Sequence, residues 1–211
     1  MHDLLGDGEC TETAGRTALE TLMGRLATAA GVEASVLRLH ILKSTAVNAF
    51  VLPGGHIVVM DGLIQAAEEP DDLAGVLAHE MAHIAHRHTV RQMVRHMGLG
   101  LIVDTATGGM GGEIGRLLLT LSYSRDDERE ADRGGGEILS TAGLRSDRLG
   151  PFLDHIRKRD MPESLAWLTT HPATAERVEA LARLADEALP GGTAFSEAEW
   201  QAVRVLCREN G

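Results

Sequence analysis

The sequence is poor in aromatic residues and in positive charge, and it has no long apolar run. Aromatic residues make up only 3% of the 211 positions, so the core has to be built from aliphatic side chains, which favours helices. Lys and Arg number 20 against 31 Asp and Glu, and the net charge of -11 repels phosphate backbones. No stretch approaches the roughly 20 apolar residues that span a bilayer. We therefore predict no nucleic-acid partner and no transmembrane segment in this chain; peripheral association with a membrane stays open.

Cysteine is equally scarce. Cys10 and Cys207 lie near opposite ends of the chain, form no CxxC pair and have no histidine at zinc-finger spacing. A disulfide between them is one interpretation, but we expect two ordinary thiols. Residues 1–16 lack the basic start and apolar core of a signal peptide.

Hydrophobic patterns predict an α+β protein dominated by helix. Apolar residues at helical spacing predict a first helix over Thr11–Ala30. Short apolar segments then predict strands over Val36–Leu42, Ala49–Leu52 and His56–Met60. A Pro-Gly-Gly turn joins the last two, so the small sheet contains a hairpin.

A long helix follows the sheet. It begins after Pro70, where Asp71 and Asp72 supply a cap and negative charge, and it is predicted to run to His88 or beyond. Further helices are predicted over Glu113–Leu121, Arg125–Thr141, Phe152–Arg159, Ala173–Ala188 and Glu197–Arg208.

The connection at 98–112 contains six glycines. This composition predicts a flexible loop, with a lid as the alternative. No internal repeat divides the chain, and its length suits one well-buried domain over residues 1–211.

His79-Glu80-Met81-Ala82-His83 is an HExxH motif inside the long helix. Residues four apart on a helix project from one face, so both imidazoles can reach a single Zn²⁺. Glu80 projects about 100° away round the helix, which suits a general base acting on a water at the metal. The motif therefore predicts one zinc per chain, with His79 and His83 as ligands and Glu80 as the base.

A catalytic zinc also needs a third protein ligand and one open position. An HExxHxxGxxH pattern cannot supply it, because His86 stands where glycine is needed and Thr89 where the third histidine is needed. His86 shares a helix face with His79 but lies about 10 Å further along the axis. We therefore interpret His86 and His88 as surface groups or as groups that support the ligands.

Glu128 and Asp132 lie four residues apart on a later predicted helix. This spacing lets Glu128 bind the metal while Asp132 orients a ligand histidine or an arginine. The alternative is a run of solvated charges, which composition alone favours. His171-Pro172 before Arg177 is a weaker signal, because a loop histidine is usually solvated.

Taken in order, four stretches resemble zinc metallopeptidase family forty-eight, which includes the CAAX prenyl endopeptidases, HtpX and BepA. The resemblance covers roughly residues 37–184 and implies a gluzincin fold and an endopeptidase acting on proteins, with a role in protein quality control. The stretches are residues 48–55 with 61–63, residues 76–83, residues 123–132, and His171-Pro172 with Arg177.

The resemblance also implies roles for single residues. It makes Glu128 the third zinc ligand, and it puts His171 beside the metal, where it gates the metal or stabilises an oxyanion. It pairs Arg177 with Asp132. It further implies that Asn48 and the adjacent strand align an extended substrate, which is added to the edge of the sheet.

Two features depart from the family. Gly134-Gly135-Gly136 follows the acidic motif at a cost of about 1 kcal/mol each relative to alanine, which predicts a kink or an early end of that helix. The membrane segments of the prenyl proteases and HtpX are missing, which favours the soluble, exported branch in the periplasm or cell envelope. A cytoplasmic location follows instead if no leader was removed.

Two other functions stay open. The chain is alternatively a latent or non-cleaving chaperone module that binds zinc and holds its substrate, with His171 filling the open position. A purely structural metal is the third hypothesis.

Overall fold

The computed structural model describes residues 8–94, 123–158, 165–172, 174–186 and 190–208. The predicted helix over Glu113–Leu121 and the glycine-rich connection at 98–112 lie outside these ranges. Within the described residues the protein is mostly helical with one small sheet. The predicted α+β class is therefore confirmed.

Most predicted elements are found within a few residues of their expected bounds. The short helices Asp61–Ala66 and Leu165–Thr170 were not predicted, because six residues are too few to show a helical period. Residues 88–94 are also helical. The helices are α1 Thr13–Ala29, α2 Asp61–Ala66, α3 Pro70–Ala85, α4 Arg125–Thr141, α5 Leu149–Lys158, α6 Leu165–Thr170, α7 Ala175–Asp186 and α8 Glu197–Val205, and a 3₁₀ turn spans Ala34–Val36.

The sheet has the strand order β1-β3-β2, from β1 (Arg38–Leu42), β2 (Ala49–Leu52) and β3 (His56–Met60). Strand β1 runs parallel to β3, and β2 runs antiparallel to it as the predicted hairpin. Gly54 and Gly55 in the turn have φ of 86° and 79°, which glycine adopts without strain. Strand β2 is an edge strand and packs against α3.

Helix α3 is anchored at its start by the two aspartates noted in the sequence. The Asp72 carboxylate accepts hydrogen bonds of 3.0 Å from the backbone N–H groups of Glu68 and Glu69. Asp71 accepts one of 2.8 Å from the backbone of Ala194. Both carboxylates are buried, so the start of the helix is held rigidly within the core.

The prediction that this helix continues to His88 is wrong. Helix α3 ends at Ala85, and Arg87 has a left-handed φ of 55°, which costs a non-glycine residue about 1–2 kcal/mol. On a continuous helix, His88 would project about 140° away from His83. The break instead returns His88 to the interior, where it is fully buried against His83. This buried contact offsets the cost of the left-handed residue.

The prediction of a kink or early end at the glycine run is also wrong. Helix α4 continues through all three glycines to Thr141. A Cβ added at Gly134 would lie 3.1 Å from the Ala82 Cβ, and one at Gly135 would lie 3.1 Å from the His79 backbone nitrogen. The glycines therefore let α4 approach α3 closely, and the packing gained there keeps the helix continuous.

The two ends of the described chain meet. Helix α1 packs against α8, and Cys10 and Cys207 form a disulfide with a Cα–Cα distance of 4.9 Å. The expectation of two ordinary thiols is therefore wrong, because helix packing brings together two cysteines that are 197 residues apart in sequence. None of the helices within the described ranges has the length and apolar content to cross a lipid bilayer.

Candidate metal centre

The HExxH motif lies in the middle of α3, where the helix is buried between β2 and α4. The Nε2 atoms of His79 and His83 are 3.0 Å apart. Both side chains are fully buried. The spacing of four residues therefore brings the two imidazoles together as the sequence predicted.

Glu128 reaches the same point from the first turn of α4. Ser124 caps this helix by accepting a hydrogen bond of 3.1 Å from the Asp127 backbone N–H. The Glu128 carboxylate oxygens lie 3.6 Å from the Nε2 atoms of His79 and His83. A negative charge is favoured in the first turn of a helix, so α4 suits an ionised Glu128.

His171 follows α6 and completes the cluster. Its Nδ1 lies 3.0 Å from Glu128 Oε1 and 3.2 Å from His79 Nε2. Its backbone N–H donates to the Trp167 carbonyl oxygen at 2.8 Å, which fixes the residue at the end of the helix. One donor atom each from His79, His83, Glu128 and His171 lies within 4.8 Å of the others.

This donor set fits a zinc ion. Imidazole nitrogens and a carboxylate are the ligands that zinc takes at catalytic sites. The surrounding charge also suits a cation: burial would raise the pKa of Glu128, but His171 and His79 hold it well below its usual value. Burial lowers the pKa of His83. Glu128 can therefore present an ionised carboxylate and His83 a neutral imidazole, the forms that metal binding requires.

His79 has a second set of contacts on its far side. Its Nδ1 lies 3.0 Å from Asp132 Oδ1, although the N–H direction is not well aligned with the oxygen. Arg177 donates two hydrogen bonds of 2.7 Å to the Asp132 carboxylate, and its Nη1 lies 2.6 Å from Glu128 Oε2. Burial would lower the pKa of His79, but the Asp132 and Glu128 carboxylates outweigh it and raise the pKa to about 9.

The model of Peptidase family M48 matches residues 14–185. The chain belongs to Peptidase family M48. The family resemblance inferred from the sequence is therefore confirmed, and the zincin-like fold is that of the family.

Similar proteins are found in fungi and bacteria. The chain is 29% identical over 175 residues to mitochondrial metalloendopeptidase OMA1 of Schizosaccharomyces pombe, covering 79% of this chain and 52% of the relative. It is 27% identical over 197 residues to the beta-barrel assembly-enhancing protease of Yersinia pestis, covering 85% of this chain and 40% of the relative. The chain thus spans about half or less of the length of these relatives.

Glu80, the remaining charged residue of the M48 motif, lies beside the donor cluster. Its Oε1 lies 3.3 Å from His171 Nε2 and accepts a hydrogen bond of 3.5 Å from Trp167 Nε1. Its Oε2 is buried and has no hydrogen-bond partner among the described residues. Burial raises the pKa of Glu80, against the opposing effect of His171 and His79. One oxygen is thus held by neighbours while the other is free to accept a proton.

Trp167 is a contact of the M48 site that sequence reasoning missed. It is fully buried, and its ring stacks on His171 at a centroid distance of 5.1 Å. Its backbone N–H donates to the Val47 carbonyl oxygen at 3.2 Å, which ties α6 to the segment before β2. Trp167 lies four residues before His171, which is about one helical turn. This spacing is the signal in the sequence that could have indicated the contact between the two rings.

Asn48, the predicted substrate contact, lies directly before β2. Its side chain is 6% exposed, and its Oδ1 has no hydrogen-bond partner within the described part of the chain. Within the described residues Asn48 therefore lies at the start of the edge strand, beside α3. Its role in substrate binding stays a prediction.

A cavity of about 370 Å³ lies against the metal centre. Glu128 and Arg177 form part of its wall, together with Tyr123 and Pro172. Tyr123 also stacks on His83 at a centroid distance of 3.9 Å. The cavity therefore opens beside a candidate metal ligand.

Proposed function

We propose that this chain is the catalytic domain of a zinc-dependent endopeptidase that hydrolyses peptide bonds of protein substrates. The convergence of His79, His83 and Glu128 from two helices, with Glu80 beside them, is the observation that carries the proposal. These three residues would hold one zinc ion per chain. A bound zinc ion supplies a Lewis acid that polarises the scissile carbonyl and lowers the pKa of a water molecule.

Glu80 acts as the general base in this proposal. Its Oε2 accepts the proton of the attacking water and then delivers it to the nitrogen of the leaving amine. Trp167 donates to Oε1 and His171 Nε2 lies 3.3 Å from it, which favours an orientation of the carboxylate with Oε2 toward the reacting water. Its raised pKa, caused by burial, suits an acid that has to give the proton back.

Asp132 and Arg177 orient the ligands. Arg177 places its single positive charge between two buried carboxylates, since it contacts Asp132 and Glu128 together. Asp132 in turn holds the far side of His79, which fixes the ring so that its Nε2 points to the metal.

The substrate binds in an extended conformation along β2. Among the described residues β2 is the edge strand next to α3, and the buried Asn48 Oδ1 at its start has no hydrogen-bond partner there. Backbone pairing at a sheet edge is indifferent to side chains, which suits a protease that acts on unfolded proteins in quality control. The name of the bacterial relative, a beta-barrel assembly-enhancing protease, agrees with such a role.

The periplasm or cell envelope is the proposed location. The Cys10–Cys207 disulfide supports it, because disulfides persist in oxidising compartments and are rare in the cytosol.

Glu80→Gln tests the general base. We expect the variant to retain one zinc per chain and to lose casein cleavage by about 10² to 10⁴-fold. Glu68→Gln, at an exposed glutamate just before α3, is the matched control and should cleave like the wild type. Wild-type cleavage by Glu80→Gln with zinc bound would overturn the assignment.

A latent enzyme is the second candidate, because His171 lies among the donor atoms and would occupy the position that substrate needs. The wild type and His171→Ala separate the two readings in a cleavage assay. A gain of activity in His171→Ala supports gating, and a loss supports stabilisation of the transition state. Cleavage by neither protein, with zinc bound in both, favours the non-cleaving chaperone module.

A further inference from the structure

His88 forms a contact with the metal centre that the proposed mechanism does not use. Its Nδ1 lies 2.8 Å from the Nδ1 of His83, and both side chains are fully buried. Its other nitrogen, Nε2, lies 3.0 Å from Glu130 Oε2. Arg91 Nη2 contacts the same Glu130 oxygen at 3.0 Å. A continuous set of polar contacts thus runs from His83 to the surface.

The proton positions along this set follow from the ligand role proposed for His83, on which this inference rests. His83 directs Nε2 toward the donor cluster, so in the neutral ring the proton is on Nδ1. That N–H can donate only to a lone pair, and His88 Nδ1 is the atom that faces it. His88 then carries its own proton on Nε2 and donates it to the Glu130 carboxylate. One tautomer of each ring satisfies all three groups.

The same residues do not make a second cation site. His88, Asp127 and Glu130 present donor atoms within 4.8 Å of one another. A cation there would need the lone pair of His88 Nε2, which would move the proton to Nδ1 and set it against the N–H of His83. The guanidinium of Arg91 already lies 3.0 Å from Glu130 and 3.6 Å from Asp127. The positive charge at this position is therefore supplied by the protein.

We propose that His88 is a positioning residue of the metal centre, which fixes the tautomer and ring orientation of His83 and is itself anchored by Glu130. The break at Arg87 is the structural requirement for this role, because it turns His88 back toward His83. Partners of this kind raise the basicity of the ligand and restrict its rotation.

Zinc affinity, measured by competition with a chelator, tests the role without reference to cleavage. We expect His88→Leu to raise the zinc dissociation constant by about 10 to 100-fold. His88→Gln keeps an oxygen that can accept from His83 and an amide that can donate to Glu130. It should therefore come within about fivefold of the wild type, the equivalent of one imperfect hydrogen bond.

His86→Leu is the matched control. His86 is two residues away, contacts Glu130 at 3.4 Å and stacks on His88 at a centroid distance of 5.5 Å, but its side chain is 38% exposed. We expect it to bind zinc like the wild type. The visible spectrum of the Co²⁺-substituted protein, which reports ligand geometry, should change in His88→Leu and not in His86→Leu.

Wild-type zinc affinity and an unchanged cobalt spectrum in His88→Leu would overturn the inference, and so would an equal loss in His86→Leu. If His88→Leu does not fold, His88→Asn replaces it, since its shorter amide cannot span both partners. A wild-type protein that binds no zinc refutes the proposed function itself. A zinc-binding wild type matched by the His88 variants refutes only the role of His88.

Discussion

The Nδ1 atoms of the two HExxH histidines, on the side away from the candidate metal position, contact different kinds of group. His79 faces the Asp132 carboxylate, which Arg177 holds through two hydrogen bonds of 2.7 Å. His83 faces the imidazole of His88, whose contacts continue to Glu130. We call Asp132 and Arg177 the His79 flank, and His88, Glu130 and Arg91 the His83 flank. The His79 flank is buried throughout. The His83 flank reaches the solvent, where the Glu130 and Arg91 side chains are 43% and 48% exposed.

The difference shows that the two histidine ligands of one motif are oriented by partners that differ in burial. A buried ion pair leaves a large uncompensated charge when one partner is removed. An exposed pair contributes little, because water and salt screen it. We therefore expect the His79 flank to be essential for stability and the His83 flank to act mainly on the orientation of its ligand.

The largest difference should appear when the arginine of each flank is removed. Arg177→Ala leaves the Asp132 and Glu128 carboxylates buried without their cation, and we expect a loss of about 3–5 kcal/mol in the free energy of unfolding. Arg91→Ala should cost at most about 1 kcal/mol. Chemical denaturation of the metal-free proteins measures both. Equal losses would show that the two flanks contribute equally to the free energy of unfolding.

A smaller difference is expected when the carboxylate of each flank is neutralised. Asp132→Asn keeps the shape of the side chain but removes the charge behind His79, and it should raise the zinc dissociation constant by about 10 to 100-fold. Glu130→Gln acts through His88 from an exposed position and should raise it by at most about fivefold, the equivalent of about 1 kcal/mol. Chelator competition under identical conditions gives both values. A larger rise of the zinc dissociation constant in Glu130→Gln than in Asp132→Asn would show that the His83 flank has the stronger influence on zinc binding.

Much of the His79 flank could be predicted, because its residues follow helical spacing. His79 and His83 are four apart, as are Glu128 and Asp132, and each pair lies on one helix face. The pairing of Arg177 with Asp132 came only from the family resemblance, since the two residues are 45 positions apart. The sequence thus predicts which residues share a face of one helix, but it does not predict contacts between separate elements.

The His83 flank could not be predicted for a physical reason. Helical spacing directs His88 away from His83, and the contact exists only because Arg87 adopts a left-handed conformation. Nothing in the residue type of Arg87 signals this turn, which glycine or asparagine normally provides. The helix break predicted at the glycine run was wrong for a similar reason, because Gly134 and Gly135 allow the close approach of α3 to α4, which the sequence does not show.

The smallest effect expected is the response of the two flanks to salt. Charges at the surface are screened within about 8 Å at physiological ionic strength, whereas buried pairs are screened much less. The difference in zinc affinity between Glu130→Gln and the wild type should therefore shrink toward zero as salt is raised. The larger effect of Asp132→Asn should stay unchanged over the same range. A series of chelator competitions from low to high sodium chloride tests this. A salt-independent effect of Glu130→Gln would mean that Glu130 acts on His83 only through its hydrogen bond to the buried His88 imidazole, with no contribution from its exposed charge.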